Sequence, residues 1–392
     1  MLRHAFLAFA GFATLGTAHA QDDWQRVTTR SLQDGAVTEV IVQTNRPPLR
    51  PIDRIRLHRY RGRDFDRVPL LYLPGTNMNG SPMATEARHD LFQTLALAGV
   101  PVYALDYRTN TLPPENLDEP ERLSSWSSEA FVADAAEALR WVLEDSGQER
   151  AFVAGFSRGV SLAYALASQA GAPKESIAGL ILLDGSFKSA PEHTPDPSAD
   201  VATRLERLEA SGTWASDVAT GIGWELRDRL MKAAITDPQG STLQAPFSDR
   251  ANVGEQLGRL LYTAWRPGGL ANPIEGGRDG VSRIEVLAQL LAGYDRYYPT
   301  VQDVDLLEVR RVADAPSPLD DGWGELELPI LNFVSSEMGS EWILASLHSA
   351  ARSGSSDVTP VLLENWGHLD VLVSERSETQ VFQRMLRWMS ER

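Results

Sequence analysis

The sequence predicts an α/β protein built on a mostly parallel, doubly wound sheet. Short apolar runs with β propensity alternate along the chain with stretches of helical periodicity. The runs at 68–73 and 100–106 are apolar at nearly every position, as expected of parallel strands that helices cover on both faces. With 392 residues, 43% of them hydrophobic, the chain can bury a full core.

The elements follow in a regular order as far as Asp184. Segments 37–44 and 52–60 alternate apolar and polar residues with prolines between them, which predicts half-exposed strands of an antiparallel edge. The sequence then predicts strands at 68–73, 100–106, 151–155 and 177–184, with helices at 86–98, at 129–144 and directly after residue 157.

The alternation stops at Asp184 and resumes at strand 328–334, followed by helix 340–352, strand 358–364 and a helix from about 376. The segment between is proline-rich at both ends and carries helical stripes over 201–208, 222–230, 253–261 and 284–294. We therefore predict a helical cap at 186–327, inserted after the sixth predicted strand. It divides the core into residues 21–185 and 328–392.

The first 20 residues are typical of a secretory signal peptide. Arg3 precedes an apolar run from residue 5 to 15, and Ala18-His19-Ala20 forms a cleavage site. The chain has no cysteine, so no disulfide is expected, and its net charge of −16 disfavours nucleic acid and anionic membranes as partners. We expect a soluble periplasmic or extracellular protein without a transmembrane segment; its oligomeric state is left open.

The most informative motif is Gly155-Phe156-Ser157-Arg158-Gly159, a GxSxG sequence between a predicted strand and a predicted helix. Glycines two residues before and after the serine allow a tight turn in which a Cβ would crowd the neighbouring backbone. Such a turn exposes the hydroxyl and directs the first N–H groups of the helix toward it. The pattern predicts that Ser157 is a nucleophile.

With this motif, residues from about 37 to 390 resemble an α/β-hydrolase that carries a large insertion. A serine nucleophile needs a base, and His368 follows the last predicted strand in a glycine-bearing loop. Its Gly-His-Leu-Asp sequence also resembles the histidine loop of lipases and esterases of this fold. His368 is therefore the predicted base.

The resemblance places the orienting acid after strand 328–334, where Glu337 is the preferred residue. Asp184 is the alternative because it ends the sixth predicted strand, and some members of the fold carry the acid there. Glu341 and Asp357 are more remote candidates.

For the oxyanion hole, the resemblance indicates the backbone N–H of Arg158 and a donor from loop 74–80, with Thr76 preferred and Asn77 as the alternative. The Arg158 side chain is expected to point into the fold and pair with a buried acid. Arg108 could orient loops or face substrate.

Together these observations predict a secreted serine hydrolase that cleaves a small-molecule carboxylic ester through an acyl-enzyme. The sequence lacks a zinc-binding HExxH motif and a phosphate-binding lysine motif, so no cofactor or metal is expected. An acyltransferase or amidase with the same residues is an alternative, as is a binding protein that has lost catalysis. Tryptophans in or beside the cap could line a pocket or fill the core; they are Trp214, Trp224, Trp265, Trp323 and Trp342.

Overall fold

The computed structural model describes residues 23–45, 53–111, 123–169, 174–193, 201–216, 223–240, 252–253, 257, 282–310 and 319–392. Three features of the sequence analysis lie outside these residues: the predicted signal peptide, most of the predicted helical stripe over 253–261, and Trp265. What the sequence predicts for them stays a prediction.

A nine-stranded sheet forms the centre of the described protein. Its strands are β1 (Trp24–Leu32), β2 (Val37–Thr44), β3 (Arg56–Gly62), β4 (Leu70–Leu73), β5 (Val102–Asp106), β6 (Ala151–Phe156), β7 (Ile177–Leu183), β10 (Ile330–Ser335) and β11 (Val358–Leu363). The two short strands β8 (Ala215–Ser216) and β9 (Tyr298–Pro299) pair separately in antiparallel fashion.

The order across the sheet is β1-β2-β3-β5-β4-β6-β7-β10-β11. Strands β1, β2, β3 and β5 pair in antiparallel fashion, and all pairs from β5 to β11 are parallel. The predicted parallel sheet with an antiparallel edge is confirmed. Strand β1 was not predicted because seven of its nine residues are exposed and polar for the most part, so it has no buried apolar periodicity.

The helices of eight or more residues are α2 (Ser128–Ser146), α3 (Arg158–Ser168), α4 (Val201–Ser211), α5 (Trp224–Thr236), α6 (Ile284–Ala292), α7 (Val301–Arg310), α8 (Ser340–Ala351) and α10 (Gln383–Ser390). Two shorter helices are α1 (Leu91–Leu97) and α9 (Asp370–Val373). Each helix predicted in the core has a counterpart within a few residues, whereas α7 of the insertion was not predicted.

The core has two apolar layers, one on each face of the sheet. Successive side chains of β4 point to opposite faces of the sheet, so Leu70 and Tyr72 belong to one apolar cluster and Leu71 and Leu73 to the other. Helices α1 and α10 contribute to the first cluster, and helices α2 and α3 to the second. The parallel strands are therefore buried on both faces, as their uninterrupted apolar runs predict.

The helices of the insertion follow β7, the seventh strand of the structure, because the unpredicted β1 adds one to the count. Helices α5 and α6 pack on each other, and α4 packs on α7. Leu230 of α5 and Leu287 of α6 belong to the same apolar cluster as Tyr72 of the sheet. Hydrogen bonds from Asp295 to Asn77, after β4, and from Arg158, after β6, to Gln302 of α7 bring the insertion to the carboxyl end of these central strands.

Candidate active site

Ser157 lies in a sharp turn between β6 and α3. Its backbone has φ 53° and ψ −116°, a conformation that residues with a side chain rarely adopt. A Cβ on Gly155 would lie 2.2 Å from the carbonyl oxygen of Gly159, and a Cβ on Gly159 would lie 2.0 Å from that of Leu73. Glycine at both positions therefore permits strand, turn and helix to approach this closely.

His368 follows β11 and is buried, with 2% of its surface exposed. Its Nδ1 lies 2.7 Å from Oδ2 of Asp184. The ring packs against Phe156, the residue before Ser157, with 4.7 Å between ring centroids, and meets Trp342 edge to face at 5.4 Å. These contacts fix the imidazole beside the turn that carries Ser157.

Asp184 directly follows β7 and is fully buried, with φ 52°. Its Oδ1 accepts hydrogen bonds from the backbone N–H of Ser335 at 2.7 Å and from Nε1 of Trp342 at 3.3 Å. Its Oδ2 faces His368. Both oxygens thus have partners, so the carboxylate has a defined orientation toward the imidazole.

Glu337 lies in the turn after β10, where the sequence places it, but the carboxylate at Nδ1 of His368 belongs to Asp184. In this short 3₁₀ turn the N–H of Glu337 donates to the carbonyl oxygen of Trp366 at 3.0 Å, and its half-buried carboxylate accepts from Ser336 at 3.4 Å. Because Asp184 holds Nδ1 of His368, the geometry reverses our preference and favours Asp184.

The two remote candidates lie apart from this arrangement. Glu341 is an exposed residue in the first turn of α8, and Asp357 pairs with Arg392 at 2.8 Å, just before β11 begins. Parallel strands present their amino ends at the edge opposite to the one where His368 lies, so Asp357 faces away from the site.

Loop 74–80, the predicted oxyanion loop, lies against the turn that carries Ser157. A Cβ on Gly75 would come 3.1 Å from Cβ of Ser157. The carbonyl of Gly75 accepts the N–H of Met78 at 3.0 Å, which closes a tight turn with Asn77 at φ 60°. Thr76 and Asn77 are both buried in this turn.

The Arg158 side chain points into the fold, in line with its predicted structural role. Its guanidinium donates to the carbonyl of Gln302 in α7 and lies 3.9 Å from the carboxylate of Asp305. Arg108 binds Asp134 of α2 with two hydrogen bonds of 2.7 and 2.8 Å. Arg158 therefore links α3 to α7, and Arg108 links α2 to the segment that follows β5.

Of the tryptophans singled out in the sequence and described by the structure, one lies at the candidate site and three pack elsewhere. Trp342 contacts both Asp184 and His368, a role that its position in a predicted helix did not reveal. Trp214 is buried in an apolar cluster, Trp323 packs near Phe187, and Trp224 stacks under Arg296.

Among the described residues, no group of three or more His, Cys, Asp or Glu side chains is placed to hold a metal ion. No helix in the described part of the chain is both long and apolar enough to cross a membrane.

The sheet order, the turn at Ser157, and Asp184 and His368 at the carboxyl ends of β7 and β11 are the features of an α/β-hydrolase fold. Among solved structures, the chain is similar to a candidate lipase from Sulfolobus solfataricus, with a TM-score of 0.72 and 24% identity over 94% of this chain and 99% of that one. A malate-bound thermophilic esterase from Thermogutta terrifontis is more distant, with a TM-score of 0.48 and 16% identity over 94% and 98% of the two chains. No protein-family model and no curated protein matches the sequence. At 24% identity the similarity to the first of these structures establishes the fold alone.

Proposed function

We propose that the protein is a serine-dependent hydrolase of small-molecule carboxylic esters. The observation that carries the proposal is the buried 2.7 Å contact between His368 and Asp184, made beside the strained turn of Ser157. Nucleophile, acid and base each follow a parallel strand of the sheet, in the chain order serine, aspartate, histidine that is typical of this fold. Asp184 replaces Glu337 as the proposed acid.

In the proposed reaction, Oγ of Ser157 attacks the ester carbonyl while His368 accepts the serine proton. The Asp184 carboxylate keeps the proton of the neutral imidazole on Nδ1, so that Nε2 is the accepting atom, and it stabilises the imidazolium that forms. His368 then protonates the leaving alcohol as the tetrahedral intermediate collapses to an acyl-enzyme. A water molecule activated by His368 releases the acid and restores Ser157.

The oxyanion of the tetrahedral intermediate receives hydrogen bonds from the backbone N–H of Arg158 and from Thr76. Arg158 is the first residue of α3, so its N–H adds the positive end of the helix dipole. The closeness of Gly75 to Ser157 supports Thr76 as the second donor. Asn77 is the alternative donor.

Replacing Ser157 by alanine tests the proposal. We expect the variant to lose labelling by a fluorophosphonate probe and about 10⁴-fold or more in ester turnover, with an unchanged thermal midpoint. Ser161→Ala is the matched control, because Ser161 is a buried serine in the first turn of the helix that follows Ser157, and its hydroxyl donates to the carbonyl of Ser186. Normal turnover by Ser157→Ala, or loss of labelling in both variants, would contradict the assignment.

We further propose that the protein is exported and that residues 1–20 are removed. Expression of the full sequence in a Gram-negative host should then yield a periplasmic or secreted protein whose intact mass corresponds to a chain starting at Gln21. Recovery of the full-length chain from the cytoplasm alone would refute this part.

A further inference from the structure

The oxyanion loop is tied to the insertion by a set of hydrogen bonds centred on Asp295, the third residue after α6. The backbone N–H of Asp295 donates to the carbonyl of Asn77 at 2.6 Å, and the Asn77 side chain donates back to the carbonyl of Asp295 at 3.3 Å. Asn79 donates to Oδ1 of Asp295 at 2.8 Å and to the carbonyl of Gly293 at 2.6 Å. Two residues of loop 74–80 are thus held by one turn of the insertion.

The Asp295 carboxylate also reaches the loop that follows β5. Thr109 donates to its Oδ2 at 2.7 Å, and Asn110 donates to its Oδ1 at 3.0 Å. Arg227 of α5 donates to the backbone carbonyl of Asp295 at 2.8 Å. With 6% of its surface exposed, Asp295 joins three separate segments within the protein interior.

The other end of the oxyanion loop is fixed to the sheet. The N–H of Gly80 donates to Oδ1 of Asp106 at 2.7 Å, and its carbonyl accepts from the Tyr60 hydroxyl at 2.7 Å. Residues 77–79, which lie closer to the proposed donor Thr76, are instead bound by the insertion. The position of the donor therefore depends on how Asp295 holds this stretch.

We propose that Asp295 is a positioning residue that sets the geometry of the oxyanion hole and couples docking of the cap to catalysis. The inference rests on the proposed function, because it presumes that loop 74–80 supplies an oxyanion donor. Asp295 itself contacts neither substrate nor nucleophile in this scheme.

The charge of Asp295 gives the coupling a pH dependence. Burial raises the pKa of Asp295 to about 7 and repulsion from Asp106 adds to it, while the hydrogen bonds from Thr109, Asn79 and Asn110 lower it. The other charged groups around this site are Arg227 on α5, Arg56, which donates to Asn110, and His58, which pairs with Asp106. Above pH 7 the ionised carboxylate accepts at both oxygens and holds the loop most firmly.

Asp295→Asn tests the inference with ester turnover normalised to the number of sites that the fluorophosphonate labels. We expect kcat per labelled site at pH 8 to fall by about 10- to 100-fold with KM within about threefold, because the oxyanion forms only after binding. The ratio of wild-type to variant kcat should rise with pH through about 7, because only the wild type carries an ionisable group at position 295.

Two further variants make the result decisive. Asn79→Ala removes the donor from the loop side and should lower kcat similarly, with less than additive loss in the double variant. If Asp295→Asn does not fold, Asn79→Ala alone still tests the inference. Asp228→Asn on the exposed surface of α5, where Asp228 pairs with Lys232, is the control and should behave as wild type.

Unchanged kcat per labelled site in both Asp295→Asn and Asn79→Ala would overturn the inference. A ratio of kcat values that does not vary with pH would overturn it as well. Either result would leave the proposed function intact as long as the wild type is labelled at Ser157 and hydrolyses esters. An unlabelled, inactive wild type would instead refute the proposed function.

Discussion

The proposed triad depends on how firmly Asp184 is held. Its Oδ1 takes two donors from β10 and α8, which leaves Oδ2 directed at His368. Trp342 contributes twice, since its N–H reaches the acid and its ring meets the imidazole edge to face. Packing against Phe156 further restricts rotation of the imidazole. The histidine is thus oriented by hydrogen bonding and by packing together.

Exchange of the two candidate acids for their amides separates them. Asp184→Asn should lower kcat by about 10³- to 10⁴-fold, because a neutral amide can neither fix the productive tautomer nor stabilise the imidazolium. Glu337→Gln should lower it less than about tenfold, since Glu337 occupies the turn after β10. Ester turnover and thermal midpoints of both variants provide the measurement. A larger loss for Glu337→Gln at equal stability would restore Glu337 as the preferred acid.

Ser157 and His368 can be proposed from the sequence because each lies in a local pattern, a glycine-flanked turn and a loop after a strand, and the structure shows that turn and that loop. The choice between Asp184 and Glu337 depends on geometry between strands instead. Both residues follow strands that are neighbours in the sheet, β7 and β10, so sequence position alone does not distinguish them. The contacts of Trp342 and Asp295 likewise join segments that are far apart in the chain, and no local signal marks them.

Among the elements of the fold, the turn that carries Ser157 depends on the close approach of α3 to β4. A Cβ at position 159 would overlap the carbonyl oxygens of Leu73 and Pro74, at 2.0 and 2.8 Å. Both are backbone atoms, so the overlap is relieved only by moving the helix or the strand. Such a movement would also shift loop 74–80, which begins at Pro74.

Gly159→Ala should therefore lower the thermal midpoint by several degrees, in keeping with an overpacking loss of about 1–3 kcal/mol, and reduce ester turnover by more than about 10-fold. Gly293→Ala is the matched control, because a Cβ there would be 3.4 Å from its nearest neighbour and Gly293 has φ −78°. Thermal unfolding and turnover of both variants provide the comparison. If Gly159→Ala keeps the thermal midpoint and the ester turnover of the wild type, the close approach of α3 to β4 is not required for either.

In the insertion, hydrophobic periodicity predicts some of the helices but not α7. Stripes at 201–208 and 284–294 correspond to α4 and α6, but α7 mixes acidic and apolar residues and has a weak stripe. Its place is determined by contacts with the core, among them the Arg158 guanidinium and a hydrogen bond from Ser128 to Asp305. Tertiary contacts of this kind cannot be recognised from a local sequence pattern.

At the scale of the whole molecule, a buried ionic cluster joins the antiparallel edge of the sheet to its parallel part. His58 on β3 lies between Glu39 on β2, at 2.7 Å, and Asp106 on β5, at 3.0 Å. Glu39 also accepts from the Tyr60 hydroxyl. The same Asp106 accepts a hydrogen bond from the N–H of Gly80, so the cluster supports the proposed oxyanion loop from the sheet side.

This cluster makes the stability of the fold depend on pH. Burial lowers the pKa of His58, but the charges of Asp106 and Glu39 and their hydrogen bonds outweigh it, so that the pKa is raised to about 9. Since this folded-state value exceeds the ordinary value of 6.5, the stabilisation is fully present below about pH 6.5 and is lost as the pH rises through 9. A shift of this size corresponds to about 3 kcal/mol of unfolding free energy.

We therefore expect the unfolding free energy of the wild type, measured by urea denaturation, to fall steeply between about pH 7 and pH 9.5. His58→Gln should be less stable than the wild type at about pH 6.5, because it leaves two buried carboxylates without a cation between them. Its stability should vary less over the same pH range, since glutamine does not titrate, and the two curves should converge at the alkaline end. Curves that stay parallel across this whole range would mean that His58 is neutral in the folded protein throughout.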